Sequence, residues 1–140
     1  MEILTFKGTD LEKLKLAIDI RTEVFMKEQG VSHEEEFDDK DPVSYYVIIK
    51  ENNDAVGCGR VYFYDDIAHL GRIAVLKRAR KNGVGRIIIE KLISISKEQK
   101  ADTIMLGAQI QAVGFYEKLG FKPYGATYLD ANIEHINMKL

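Results

Sequence analysis

The sequence predicts an α+β (mixed α/β) fold, a mixed and mostly antiparallel sheet of about six or seven strands flanked by helices. Three observations predict it. β-forming segments follow one another from Tyr45 to Leu76 with only short polar turns between them. A strand–helix–strand unit spans Ala68 to Ala108, and such a unit makes a right-handed parallel crossover. Two last β-rich segments close the chain as a hairpin around Ala131-Asn132. Strands and helices do not alternate regularly, so a doubly wound parallel sheet is excluded.

Taken in order, Ile3-Leu4-Thr5-Phe6 is a short strand. Thr9-Asp10-Leu11-Glu12 has capping-box spacing and opens a helix. The apolar face of that helix carries Leu11, Leu14, Ile18 and Phe25, with Ala17 and Val24 alongside. Ser32 to Pro42 is acidic and reads as loop. Tyr45 to Lys50 is a strand, Asn52-Asn53-Asp54 a turn, and Ala55 to Phe63 the partner strand. Asp65-Asp66 punctuates before a third strand, Ala68 to Leu76. Val84, Ile88, Leu92 and Ile95 recur at helical spacing as far as Gln99, and Thr103 to Ala108 is a buried strand. Ala112 to Leu119 is a short helix stopped by Gly120, with Phe121 as the apolar residue that follows such a stop. Ala126 to Asp130 and Glu134 to Lys139 form the closing hairpin.

The 140 residues contain no linker or repeat and read as a single domain, 1–140, with room for a core. A net charge of −2 argues against nucleic acid or an anionic membrane as partner. Cys58 is the lone cysteine, so there is no internal disulfide and no cysteine-built metal site; it reads as a buried structural thiol. No signal-like or membrane-spanning apolar run is visible, and the expected location is cytoplasmic.

The run Leu76-Lys77-Arg78-Ala79-Arg80-Lys81-Asn82-Gly83-Val84-Gly85-Arg86 joins a strand to a helix through a basic, glycine-bearing loop. Such a junction offers unpaired backbone N–H groups, the positive end of a helix dipole and side-chain cations. It fits neither a P-loop nor a dinucleotide fingerprint. What remains, Arg80-x-x-Gly83-x-Gly85, suits a phosphate cradle or simply a helix start that needs permissive residues.

Phe115-Tyr116-Glu117-Lys118-Leu119-Gly120-Phe121 follows one strand and one turn beyond the helix of that loop. Together the two segments resemble the GNAT superfamily of acyl-CoA-dependent N-acyltransferases. Ile20-Arg21-x-Glu23-Val24-Phe25, Glu28-Gln29-Gly30-Val31 and Gly71-Arg72-Ile73-Ala74-Val75 are similar to a bacterial subgroup of it. The resemblance covers nearly the whole chain and implies a parallel strand pair that splays to make a slot for coenzyme A.

Carried over to this sequence, it implies that Arg80, Lys81, Asn82, Gly83, Val84, Gly85 and Arg86 bind the pyrophosphate of acetyl-CoA. Ile73 and Val75, with Ala74 between them, would pair with the pantetheine amides as a sheet edge pairs with an added strand. Gln109 and Phe115 complete the implied cofactor contacts. Gln109 stands where many members have asparagine. No metal is implied, and a homodimer is compatible with the family.

The resemblance makes Tyr116 the donor to the departing thiolate; without it, Tyr116 would read as packing against Phe115 and Leu119. A thiol with a pKa near 8.5 and a phenol near 10 make full transfer uphill by roughly 2 kcal/mol, so hydrogen bonding to the developing charge is favoured over early protonation. The attacking amine must be neutral, yet a lysine-like amine is neutral only about once in 2,500 molecules at pH 7. Where many members carry a strand glutamate as base, this chain has His69 and Arg72. His69 reads more simply as a surface residue at a strand start, and Glu28, Glu34 or a water chain stay open.

For the acceptor, a small-molecule amine or a peptide, the candidates are Arg21, Phe25, Glu28 and Glu34. The run Glu34 to Asp41 lacks the EF-hand pattern and reads as a solvated loop, or as an attractor of cationic acceptors. Arg21 would orient an acidic acceptor, or pair with Glu23 or Asp38. The expected function is acetyl transfer from acetyl-CoA to a primary amine by direct attack in a ternary complex. The alternative on the same fold is a non-catalytic acyl-CoA-binding or sensing module.

Overall fold

A computed structural model describes residues 1–140. The chain builds β1 (Glu2–Lys7), α1 (Leu11–Arg21), a π-helical segment (Thr22–Glu28), α2 (His33–Glu36), a 3-10 turn (Asp41–Val43), β2 (Tyr45–Glu51), β3 (Asp54–Tyr64) and β4 (Ile67–Val75). There follow a 3-10 turn (Lys77–Ala79), α3 (Val84–Glu98), β5 (Thr103–Gln109), a 3-10 turn (Ile110–Ala112), α4 (Val113–Lys118), β6 (Lys122–Asp130) and β7 (Ile133–Lys139). The strands make one seven-stranded sheet in the order β1-β2-β3-β4-β5-β7-β6. Only β4 and β5 run parallel. This is the mixed, mostly antiparallel sheet that the element order predicts.

Three of the antiparallel pairs, β2–β3, β3–β4 and β6–β7, are hairpins, and each closes through two residues of positive φ: Asn52-Asn53, Asp65-Asp66 and Ala131-Asn132. Two left-handed residues in succession match the twist of the flanking strands, and Asn and Asp tolerate that conformation best.

Both faces of the central strands are buried, which explains the unbroken apolar run of β2. Val47 and Ile49 pack with Ile88, Ile89 and Leu92 of α3, while Tyr46 and Ile48 pack with Leu14, Ala17 and Ile20 of α1. Each fully buried Ile or Leu contributes about 1.5–3 kcal/mol. A Cβ on Gly59 would stand 2.6 Å from Ile88 Cγ2, so α3 lies almost on the backbone of β3. No helix is long and apolar enough to cross a membrane.

Several local expectations are corrected. The N-cap of α1 is Asp10, whose carboxylate accepts from the Lys13 N–H at 3.3 Å, so Thr9 and Glu12 form no capping box. A tight turn, Asp10 N–H to Lys7 O, brings the carboxylate to the helix end first. The buried face of α1 is Leu14, Ala17, Ile20 and Arg21, and Leu11 is exposed. The π-helical segment adds a residue to the turn and shifts the phase, leaving Val24 buried and Phe25 half-buried. α4 ends as expected, in a Schellman motif: Gly120 (φ 99°) and Phe121 donate to the carbonyls of Glu117 and Tyr116 at 3.0 and 3.1 Å. β6 starts earlier than expected, at Lys122, and every one of its residues is exposed on the sheet edge.

The acidic segment is not a solvated loop. Glu36 and Asp41 are buried, and with Asp38 they meet Arg21, Arg60 and Arg72. Arg60 binds Asp38 with two nitrogens, at 2.9 and 2.7 Å, and Asp41 at 2.7 Å. Tyr46 donates to Asp41 from the sheet below. Three guanidinium groups thus face three carboxylates, and their charges cancel at the site where the segment is strapped to the sheet.

Candidate active site

β4 and β5 pair at only four positions, from Ile67↔Thr103 to Leu70↔Leu106. Beyond them β4 continues to Val75 and β5 to Gln109 without pairing, so the sheet opens into a fork. A register shift against β3, with Arg72 at φ +49°, turns β4 away at this point. The fork lies in a cleft of about 980 Å³.

At one end of the cleft is the loop before α3. Arg80 donates its backbone N–H to Lys77 O, and the first helical bond of α3 is Ile87 N–H to Gly83 O. The six N–H groups from Lys81 to Arg86 find no acceptor in the protein. Lys81 (φ 72°) and Gly83 (φ 79°) take left-handed conformations that turn these groups into a concave cradle. A Cβ on Gly85 would come 3.3 Å from Phe115 Cζ, so that glycine keeps the wall thin. Lys81, Gly83, Val84, Gly85 and Arg86 line the cleft, and Asn82 does not.

Arg80 is half-exposed and engaged elsewhere. Its two terminal nitrogens grip both oxygens of Glu28, at 2.7 and 2.6 Å, and its Nε donates to Val75 O at 3.0 Å. The hydrogen bonds from Arg80 hold the Glu28 carboxyl below its ordinary range.

Ile73, Ala74, Val75, Gln109, Phe115 and Tyr116 line the fork itself. The Tyr116 ring meets Phe115 and Phe121 edge-on, with centroids at 5.1 and 6.0 Å. Its hydroxyl makes no hydrogen bond within the protein, and burial pushes its pKa up to about 12. Gln109 exchanges amide hydrogen bonds with Gln29 across the mouth of the fork, at 3.0 and 3.4 Å.

Of the acceptor-side candidates, Phe25 lines the cleft. Arg21 is fully buried and pairs with Glu36 and Asp41, rather than with Glu23 or Asp38, so it presents nothing to an acceptor. Glu28 and Glu34 lie outside the cleft. His69 is not a surface residue: it lines the cleft, stacks on Tyr62 at 4.9 Å, and has a buried Nε2 without a partner. Burial and then the Lys40 charge hold its pKa below the ordinary value. Cys58 is a buried thiol pushed up to about 12 by desolvation.

Sequence reasoning missed Tyr62, Tyr128, His135 and Asn137, which also line the cleft. A signal was present. A two-residue turn at Ala131-Asn132 sets Tyr128 opposite His135, and that pair stacks at 5.8 Å.

The chain matches the family model described as an acetyltransferase (GNAT) domain over residues 9–140. An uncharacterized N-acetyltransferase of Bacillus subtilis, YjcF, is 41% identical over 128 residues, which cover 91% of each chain. An acyl-CoA N-acyltransferase from Pseudomonas aeruginosa has the same fold, with a TM-score of 0.89 at 24% identity over 99% of both chains. Escherichia coli ElaA has it too, with a TM-score of 0.90 at 24% identity over 99% of both chains. Fork, cradle and sequence agree, and the chain belongs to the GNAT acetyltransferase family.

Proposed function

We propose that residues 1–140 act as one domain that transfers an acetyl group from acetyl-CoA to an amine by direct attack in a ternary complex. The observation that carries this reading is the opening of the β4–β5 fork into the same cleft as Lys81 and Gly83–Arg86, whose N–H groups are free, and Tyr116. A Bacillus anthracis acetyltransferase solved with acetyl coenzyme A supports the choice of cosubstrate; it is 26% identical, with a TM-score of 0.60 over 71% of this chain and 62% of its own.

The cradle takes the pyrophosphate, since oriented N–H groups at a helix start favour negative charge. The unpaired edge at Ile73–Val75 takes the pantetheine amides as a strand would. The thioester supplies the activated acyl group. Tyr116 then acts by hydrogen bonding alone. Burial raises its pKa to about 12, which disfavours giving up its proton to the departing sulfur. A phenol that stays protonated can still donate to the sulfur as charge develops there.

The test is calorimetric binding of acetyl-CoA, followed by release of free thiol with a panel of amines. Binding with amine-dependent release is the expected result. Binding without release across the panel would instead make the chain a binding module.

A further inference from the structure

We propose that His135 is the proton acceptor for the attacking amine, an assignment that rests on the acyl-transfer reading. Three features of the structure carry it.

The first is tautomer. His135 Nδ1 lies 2.7 Å from Ile133 O. A carbonyl oxygen only accepts, so Nδ1 carries the hydrogen and Nε2 keeps its lone pair. That Nε2 makes no hydrogen bond in the protein, and the ring lines the cleft.

The second is level along the sheet. The fork opens past Leu70↔Leu106, between Gly71–Val75 and Gly107–Gln109. His135 pairs with Gln109, so it stands beside the open part of the fork, one strand away. His69 pairs with Met105, on the closed part, and its Nε2 is buried.

The third is support. The ring stacks on Tyr128, which donates to Asn137 Oδ1 at 2.7 Å. A Cβ on Gly107 would meet the Tyr128 hydroxyl at 2.4 Å, so the bare backbone of β5 makes the room that this packing needs. Of the carboxylates the sequence suggested as bases, Glu28 is gripped by Arg80 and Glu34 is outside the cleft. The titratable and charged groups facing His135 from its neighbours are Tyr128 and Asp130 on β6; Glu134, one residue before it in β7, points to the other face of the sheet, and β5 presents the uncharged Gln109.

In the step, the amine nitrogen bonds to the thioester carbonyl carbon and its proton passes to His135 Nε2. The transfer accompanies bond formation, because the nitrogen loses basicity as it becomes an amide. The carbon–sulfur bond then breaks, the thiolate leaves against the Tyr116 hydroxyl, and the imidazolium returns its proton to water.

The test uses acetyl-CoA with glucosamine, spermidine, tyramine and a lysine-bearing peptide as probes, and reads kcat/KM against pH. A base must be unprotonated to accept the amine proton, so the wild type should show an acid limb. His135→Gln should erase that limb and lower kcat/KM by roughly 10²-fold, with acetyl-CoA affinity unchanged. His135→Ala should regain part of its rate when imidazole is added. A limb that persists in His135→Gln, or that vanishes in His69→Gln instead, overturns the assignment. So does ¹⁵N spectroscopy of the wild-type imidazole showing the proton on Nε2, a readout that needs no variant to fold. Acetyl-CoA binding without amine-dependent thiol release in the wild type would sink the acyl-transfer reading itself, and this one with it.

Discussion

Arg80 and Glu28 form a two-pronged ion pair between the phosphate cradle and the end of the π-helical segment, with both oxygens engaged at 2.7 and 2.6 Å. The pair is half-exposed, so its worth to stability is about 0–1 kcal/mol. Its larger effect is on charge, because Glu28 neutralises a cation beside the loop proposed to bind the pyrophosphate. Glu28→Gln should therefore tighten acetyl-CoA binding by roughly two- to fivefold at low salt, and the gain should shrink as salt is added. Calorimetry at two ionic strengths checks it.

Tyr116→Phe should separate binding from turnover. The hydroxyl has no partner in the protein, so removing it costs no internal hydrogen bond. The melting temperature and the acetyl-CoA Kd should stay close to wild type, while the single-turnover rate falls by roughly 10²-fold. An unchanged rate would remove Tyr116 from the chemistry.

Gly85→Val should do the reverse. The new side chain would start 3.3 Å from Phe115 Cζ and stand before the free N–H groups. Acetyl-CoA affinity should drop at least ~10-fold, the share expected when a cradle of oriented N–H groups is blocked. A far-ultraviolet circular dichroism spectrum like that of the wild type would show that the fold persists.

The strap of three arginines and three carboxylates should make the protein acid-sensitive in a defined window. Burial alone would raise the Asp38 pKa, but the hydrogen bonds and charge of Arg60, with Arg72, pull it down to about 2. The folded value lies below the unfolded one near 3.9, so the stabilisation is complete above that pH and is lost as pH falls towards 2. Glu36, which burial pushes upward, contributes the opposite slope. The difference between wild type and Asp38→Asn isolates the Asp38 part, read by urea unfolding at pH 5, 4 and 3.

Breaking the same strap from the cationic side should be costly at neutral pH. Arg60→Met leaves Asp38 and Asp41 without their shared partner, and removal of one member of a buried pair costs about 3–5 kcal/mol. Chemical denaturation at pH 7 measures it.

The features legible in the sequence are those written in local chemistry. Asn52-Asn53 and Asp65-Asp66 announce left-handed turns, Gly120-Phe121 announces a helix stop, and Gly83 to Gly85 announces a helix start with free N–H groups. The rest depends on contacts between distant segments. Arg21 sits on the core face of a helix, where apolar periodicity has no place for it, because Glu36 and Asp41 arrive from elsewhere to meet it. The bend of β4 falls on Arg72, a residue with no intrinsic preference for positive φ, so composition hides it. His135 reads as one more position in a closing strand until the register sets it beside Gln109.

Four pairs between β4 and β5 are the only strand pairing that joins β1–β4 to β5–β7. With a seam that short, β5–β7 are tied to the rest of the sheet by fewer strand hydrogen bonds than join β2 to β3, and they end in an edge strand with no buried residue. Amide hydrogens of β5–β7 should exchange before those of β2 and β3. A ligand spanning the fork would act as a splint across the seam: it would slow exchange in β5 and, through the β5–β7 ladder, in β7, without needing to touch β6.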